Sequence, residues 1–489
     1  MNFDQVRAFV RKHCWRMLFI SALILVPCFW HKRIEAGDLP SHTYNAWLAE
    51  LIQRGEAPGL YIEPRWNNIV VDLALEKLGA VLGFFVAERI LVVACVLLFF
   101  WGVFALLSAA NMRPPWHLVP GIALITYGWT FYAGFLNFYL SIALGFFAVA
   151  LIWRGGSRQW LFASLLLALA FLAHPMGFIC ALGLAIYFRL AGEFQGRKRW
   201  ALFGSAFLAV LIVHFCLKEF RTAYWHKNDF YLMSGPDQLV LFHAHYAKLA
   251  VVVFCFAVFC FAYGLYREWK EIRSVGAYRA PLELWLVLVF AAAMIPEVIW
   301  FSDNPMPFAL AISRLTLVTA VLGLCVVASA KPRPWHLAGF ALCALVFFIW
   351  TYRDTGILND MERQAEGLVS TLPFGRRVIE TINPSDDSRL WFINHIVDRA
   401  CIGKCFAYSN YEPATRQFRI RARPGSPVVT DSVEDNLGME TGFYLVREKD
   451  LPMNQIYQCD EKDLSKLCIR ELSAGEENGR VGYRPTPKF

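Results

Sequence analysis

The chain has 489 residues, of which 57% are hydrophobic and only 18% charged, with a formal net charge of +8 and an aromatic complement of 41 Phe, 18 Tyr and 17 Trp. Soluble domains run at about 45–50% apolar and about 25% charged. A single water-soluble globule, a secreted repeat protein and a disordered chain are therefore excluded, and the composition is that of an integral membrane protein. Residues 1–352 hold 28 Lys and Arg against 18 Asp and Glu, whereas 353–489 hold 19 against 21. The positive excess thus lies among the apolar segments rather than on one soluble face, which argues against nucleic acid as a partner.

Eleven apolar segments approach the roughly 20 residues a helix needs to cross the hydrocarbon: 15–33, 83–109, 117–133, 136–153, 160–173, 176–190, 200–218, 247–266, 282–300, 308–330 and 335–352. The first follows Arg7, Arg11, Lys12 and Arg16 and has no small-x-small cleavage site after it, so it reads as a retained span. With the N-terminus inside, cytoplasmic segments collect Arg113; Arg154 and Arg158; Arg189, Arg197, Lys198 and Arg199; Arg267, Lys270, Arg273 and Arg279; then Lys331 and Arg333, the positive-inside pattern. An odd number of spans places 353–489 outside. The expected fold is an all-α polytopic membrane bundle of about 11 transmembrane helices over 1–352, N-in and C-out. A small α+β external domain follows, with helical character in 361–380, an alternating strand at 417–422 and a turn at Pro424, Gly425 and Pro427.

Two long loops, 34–82 and 219–246, fall on the same side as that domain. In the first, Gly37-Asp38-Leu39-Pro40 reads as a chain leaving the membrane and starting a helix, with Asp38 as cap and Pro40 in the first turn. As a cap, Asp38 is explained by local structure alone; as a carboxylate at the membrane surface it suits a general base that takes a proton from a hydroxyl. His42 lies four residues on, on the same helix face, and suits assistance to that base or a phosphate contact. Asn67 and Asn68 can donate to and accept from sugar hydroxyls, and Trp66 suits stacking or interfacial anchoring. Asp72 reads as a solvated helix residue.

Further polar residues sit at the outer ends of predicted spans. Tyr132, Gly134, Asn137 and Tyr139 surround one outer turn, and His174-Pro175 forms another, with Pro175 suited to a first helical turn. Glu297 and Arg314 face each other across the ninth and tenth spans, where ionisable groups are costly unless paired or facing an aqueous cavity. They suit a mutual ion pair, and the guanidinium fork of Arg314 suits a lipid-linked phosphate equally. In the second loop Arg221, His243 and His245 are candidates for contact with an anionic headgroup or diphosphate. Nine cysteines precede residue 352 and read as small apolar residues; Cys401, Cys405, Cys459 and Cys468 suit two disulfides in an oxidising compartment or, on the competing reading, zinc.

The first span, the Gly-Asp-Leu-Pro-Ser-His-Thr-Tyr stretch at 37–44 and a many-span body ending in an external domain together resemble the polytopic glycosyltransferases that use polyprenyl-phosphate sugars. That class includes protein mannosyltransferases and the aminoarabinose transferases of lipid A. The resemblance implies an inverting transfer at the external face of a bacterial inner membrane, to a hydroxyl of a lipid, glycan or protein. It also implies Asp38 as base, since the class carries an aspartate in the first external loop. A second acidic residue often follows that aspartate, and Leu39 stands there instead, which points away from the protein-mannosylating branch. Metal use varies within the class, so a divalent cation is neither implied nor set aside. Two other classes compete: a transporter or flippase for a lipid-linked or amphiphilic solute, and a non-catalytic scaffold presenting an envelope-interaction domain. The concentration of polar residues at one face, without a discernible repeat, favours the enzyme over a transporter.

Overall fold

The computed structural model describes residues 3–224, 233–242, 244–275, 278–301, 306–382, 389–390, 392–415, 417–460 and 463–479. From the N-terminus the chain forms α1 (Phe3–Ile24), α2 (Leu39–Arg54), β1 (Leu60–Ile62), α3 (Val70–Leu82), α4 (Phe84–Asn111), the short α5 (Val119–Thr126) and α6 (Trp129–Tyr132), and α7 (Leu136–Arg154). Next come α8 (Ser157–Ala173), α9 (Pro175–Glu193), α10 (Gly196–Leu217), β2 (Arg221–Ala223), α11 (Ala244–Val275), α12 (Arg279–Met294), β3 (Val298–Trp300), β4 (Phe308–Ala309) and α13 (Ala311–Val327). The remainder is α14 (Pro334–Ser370), β5 (Arg376–Thr381), α15 (Ile396–Ala400), β6 (Cys405–Ala407), β7 (Ile420–Ala422), α16 (Val433–Thr441), β8 (Met453–Gln458) and β9 (Leu467–Leu472).

At the centre of the helical part, α7 packs against α4, α8 and α9. Small residues let these backbones approach: a Cβ added at Gly145 would lie 2.5 Å from that of Ala181. Aromatic rings fill the wider gaps, as where Phe99 stacks on Tyr139 at 4.4 Å.

This architecture corrects the expected all-α bundle of about eleven transmembrane helices. Among the described residues six helices are long and apolar enough to cross a bilayer: α4, α7, α9, α10, α11 and α14. The apolar stretch 117–133 breaks into α5 and α6, and 282–300 leaves the helix after Met294 and continues as β3. The helices α8 and α13 have 17 residues each, about 25 Å of rise against a hydrocarbon thickness of about 30 Å. Apolarity along the chain records burial, and buried short helices carry it as fully as spans do. The orientation drawn from an odd span count falls with the count. Nor is the helical part free of strands, for β2, β3 and β4 form a three-stranded sheet there.

Helix α14 runs unbroken from its apolar first half into a charged second half ending at Ser370, so a rigid rod carries the chain into the extramembrane α+β domain. That domain is built on a mixed sheet of order β6-β5-β8-β9, with β5 parallel to both β6 and β8. One face is closed by Met439 of α16 together with Tyr408, Tyr444, Val446 and Met453. The four cysteines are joined as Cys401–Cys405 and Cys459–Cys468. Strand β7 pairs antiparallel with β1 of the first long loop, Leu60 opposite Ala422 and Ile62 opposite Ile420, so the two regions share a sheet.

The domain is pinned by Arg399, which is fully buried. Its guanidinium donates to both oxygens of Glu362 on α14, at 2.7 and 2.5 Å, to Glu88 of α4 at 2.9 Å and to the Ile34 carbonyl at 3.1 Å. Glu35 lies 3.5 Å away and accepts from Asn359 Nδ2 at 2.6 Å. Burial, together with the adjacent Glu362, pushes the Glu35 carboxyl well above the usual carboxylate range despite the pull of Arg399. The protonated form of Glu35 is thereby favoured beside two carboxylates. Removing one member of such a buried cluster costs about 3–5 kcal/mol when a charge is left unpaired. Arg399→Met is expected to destabilise the folded protein by about that amount, whereas Glu35→Gln, which copies the protonated acid, is expected to stay within about 1 kcal/mol of wild type. Unfolding of detergent-solubilised protein followed by circular dichroism checks both.

Candidate functional site

The polar centre of the molecule grows from the start of α2. Asp38 occupies the N-cap position and Pro40 the first turn, as the local sequence requires. The Asp38 side chain makes no capping hydrogen bond, however, so helix initiation alone does not account for the carboxylate. Its backbone is strapped to the turn before α7: Gly37 N–H donates to Tyr132 O at 2.7 Å and Asp38 N–H to Ala133 O at 3.1 Å. Gly134 makes that approach possible. Its φ is +81°, and a Cβ there would stand 2.4 Å from Asp38 N and 2.7 Å from Leu39 N.

One turn into α2, the His42 ring is buried between two carboxylates, with Nδ1 3.0 Å from Asp72 Oδ1 and 3.5 Å from Glu412 Oε1. Burial opposes charge on the ring, but Asp72 and Glu412 outweigh it and, with Asp38, push its pKa up to about 10. Glu412 is itself raised to about 7 by burial, against the pull of His42. It also accepts from Ser41 Oγ at 3.1 Å. Asn45 and Asn410 bond side chain to side chain at 2.9 Å, and Tyr44 Oη accepts from Ala407 N–H at 2.9 Å. These contacts bury α2 under the extramembrane domain. The space left beside His42, Asp72, Glu412 and Phe418 is about 20 Å³, room for about one water.

Arg314 approaches the same centre from α13. Its guanidinium lies 4.0 Å over the Phe135 ring and donates to Ala309 O at 2.9 Å, while Nε is buried without a hydrogen-bond partner among the described residues. Asp38, Glu297 and Tyr411 are the acidic groups acting on it. The hydrogen bonds of Glu297 go to the N-terminus of α13, from Ile312 N–H at 2.7 Å and from Ser313 Oγ at 2.6 Å, so it serves as that helix's cap and bears on Arg314 through its charge.

The other candidates divide. Asn137 caps α3, accepting from Val71 N–H at 2.9 Å and donating to Asp72 at 3.3 Å, so it braces the carboxylate that holds His42. Asn68, at φ +55°, gives its carbonyl to Asn137 and shares with Asn67 the bend before α3. Trp66 is 81% exposed beside that bend. His174 caps α9, accepting from Met176 N–H at 3.2 Å, within electrostatic reach of Arg314. Arg221 lies on β2 over the Trp300 ring and His245 packs on Trp350, and neither is brought to Asp38 by these contacts. His243 lies outside the described residues.

Asp72, expected as a solvated helix residue, instead pairs with His42, and four residues that sequence reasoning passed over complete the centre: His395, Asp398, Tyr411 and Glu412. All four belong to the extramembrane domain, where no motif marks them. The His395–Asp398 spacing of three on a helix was the one available signal. The domain reaches the centre beside the second long loop, with Arg389 Nη1 donating to Asp237 O at 2.6 Å and Phe392 stacking on Phe242 at 4.5 Å. Among the described residues no three His, Cys, Asp or Glu side chains stand together as metal ligands.

The raised values of His42 and Glu412 carry a pH dependence of one sign. The histidine's contribution to stability is complete below its unfolded value near 6.5 and is lost as pH rises through about 10. The buried carboxyl costs stability as it ionises, up to about pH 7. Wild-type protein is expected to melt at progressively lower temperature between pH 7 and 10, and His42→Gln to flatten that decline; differential scanning fluorimetry across the range checks it. The chain matches no known family model, no curated protein and no solved structure.

Proposed function

We propose that the protein is a membrane glycosyltransferase that moves a sugar from a polyprenyl-phosphate donor to a hydroxyl acceptor, resembling the class that its first loop suggests. The observation that carries this reading is the placement of Arg314 within electrostatic reach of Asp38 where the helical bundle joins the extramembrane domain. A carboxylate fixed by backbone straps suits proton abstraction, and a guanidinium with a buried, unused Nε suits a phosphate.

In the proposed step the acceptor oxygen attacks the anomeric carbon while Asp38 takes the hydroxyl proton. The bond from that carbon to the phosphate oxygen breaks on the opposite face, with inversion, and its electron pair stays on the phosphate beside Arg314. Phosphate leaves without a strong general acid, so alignment and charge stabilisation supply most of the acceleration. An apolar groove between α5, α11, α12, α13 and α14, lined by Gly121, Phe254, Trp285, Gly323 and Phe340, suits the isoprenoid tail. The space beside His42 is about 20 Å³, so donor and acceptor entry requires it to widen. Two disulfides in the extramembrane domain support an oxidising compartment. At the opposite end of the bundle, Arg113 caps α13, and Arg199 and Arg279 lie on Glu283. That basic end supports a periplasmic domain on a bacterial inner membrane.

Purified protein in detergent, given a polyprenyl-phosphate sugar and candidate acceptors, is expected to form product. A transporter forms none under those conditions. Asp38→Asn is expected to lower kcat by about 10²–10⁴-fold. Arg314→Lys, which keeps the charge and loses the fork, is expected to cost about tenfold or more. Full activity in Asp38→Asn overturns the assignment of the base.

A further inference from the structure

Asp38 is met from the extramembrane side by the ring of His395. His395 immediately precedes α15, and its Nε2 lies 4.0 Å from Asp38 Oδ1, while its Nδ1 lies 3.2 Å from Asp398 Oδ2. The ring is 7% exposed and rests against Tyr411 at 5.2 Å between centroids. Its backbone is set by the most rigid part of the domain. Arg399 stands one turn further along α15 in its carboxylate cluster, the Cys401–Cys405 bridge closes the loop after the helix, and Val397 N–H donates to Glu380 Oε2 at 3.2 Å. The arrangement runs carboxylate, imidazole, carboxylate across the junction of loop and domain.

We propose that His395 is a positioning residue for Asp38: held on one side by Asp398, its imidazole fixes the orientation of the Asp38 carboxylate from the extramembrane side. The inference rests on the reading of Asp38 as the base. That base then stands between Arg314 from the bundle and His395 from the domain, and the domain is part of the site rather than a cover over it. The groups facing the ring are Asp38 at the N-cap of α2, Asp398 on α15, Tyr411, and Glu440 on α16. Burial disfavours its charge, but Asp398 first, then Asp38 and Glu440, outweigh that and raise its pKa. The surroundings of the ring thus favour its cationic form.

The test has one arm that needs no activity. Ring-labelled histidine spectra of the full-length protein in detergent, with His395→Gln to assign the signal, give the titration midpoint of His395. Asp38→Asn is expected to move that midpoint down, and Asp398→Asn to move it further. An unmoved midpoint in Asp38→Asn overturns the contact, whatever reaction the protein performs. In the transfer assay, His395→Gln is expected to lower kcat by about 10–10²-fold with donor KM within about twofold. His395→Lys is expected to restore part of kcat. An unchanged kcat in His395→Gln, or a loss of kcat with no rescue by lysine, overturns the positioning role. Should Asp38→Asn keep full activity while still shifting the His395 midpoint, the base assignment fails and the contact stands.

Discussion

One buried guanidinium decides where the extramembrane domain sits. Arg399 draws together α14 through Glu362, α4 through Glu88 and the loop after α1 through Glu35 and Ile34. Opposite charges removed from water repay their desolvation only with good geometry and full hydrogen bonding, and here the fork is bidentate to one carboxylate and bonded to a second. Burial and Glu362 favour the protonated form of Glu35, which eases the negative charge gathered around Arg399. The domain is therefore registered on the bundle by directional bonds rather than by apolar contact alone.

That registration has chemical consequences within a few residues. Glu35 precedes Asp38 by three positions, and Arg399 follows His395 by four. The same cluster thus fixes both partners of the Asp38–His395 contact, one from each side of the junction. Around it, α2 is buried on all sides, which is unusual for a helix in a loop, and its polar side chains find partners on both flanks: Thr43 on Glu88, Ser41 on Glu412, and Asn45 on Asn410. Buried polar groups are expensive when unpaired, so this near-complete satisfaction makes the junction rigid. Rigidity of that kind is what a carboxylate needs if it is to be aimed rather than merely present. The cost is access, since the space beside His42 holds about one water.

Parts of this were legible in the residues alone. Gly37-Asp38-Leu39-Pro40 carries its own helix start, because proline fixes φ and lacks an N–H that a first turn would leave unused; α2 begins there. Pro175 does the same for α9, and the basic residues between apolar runs collect at one end of the bundle. The apolar runs themselves misled in number: α5, α6, α12 and α13 are as apolar as spans but short or broken, since a helix buried among helices needs the same residues as one facing lipid.

Composition and local pattern by themselves determined that the chain is a multi-pass membrane protein with a mixed α+β appendage, that α2 starts at Asp38, and that Asp38, His42 and Arg314 are expensive residues in need of a reason. Those properties depend on the immediate neighbours of each residue and on the solvent it meets. Only the tertiary structure decided that His395, Asp398, Tyr411 and Glu412 converge on that helix, that β7 completes a sheet with β1, and how four cysteines pair. Each of these joins positions up to several hundred residues apart, and no periodicity along the chain records a contact whose energy arises only when two distant surfaces close and exclude water.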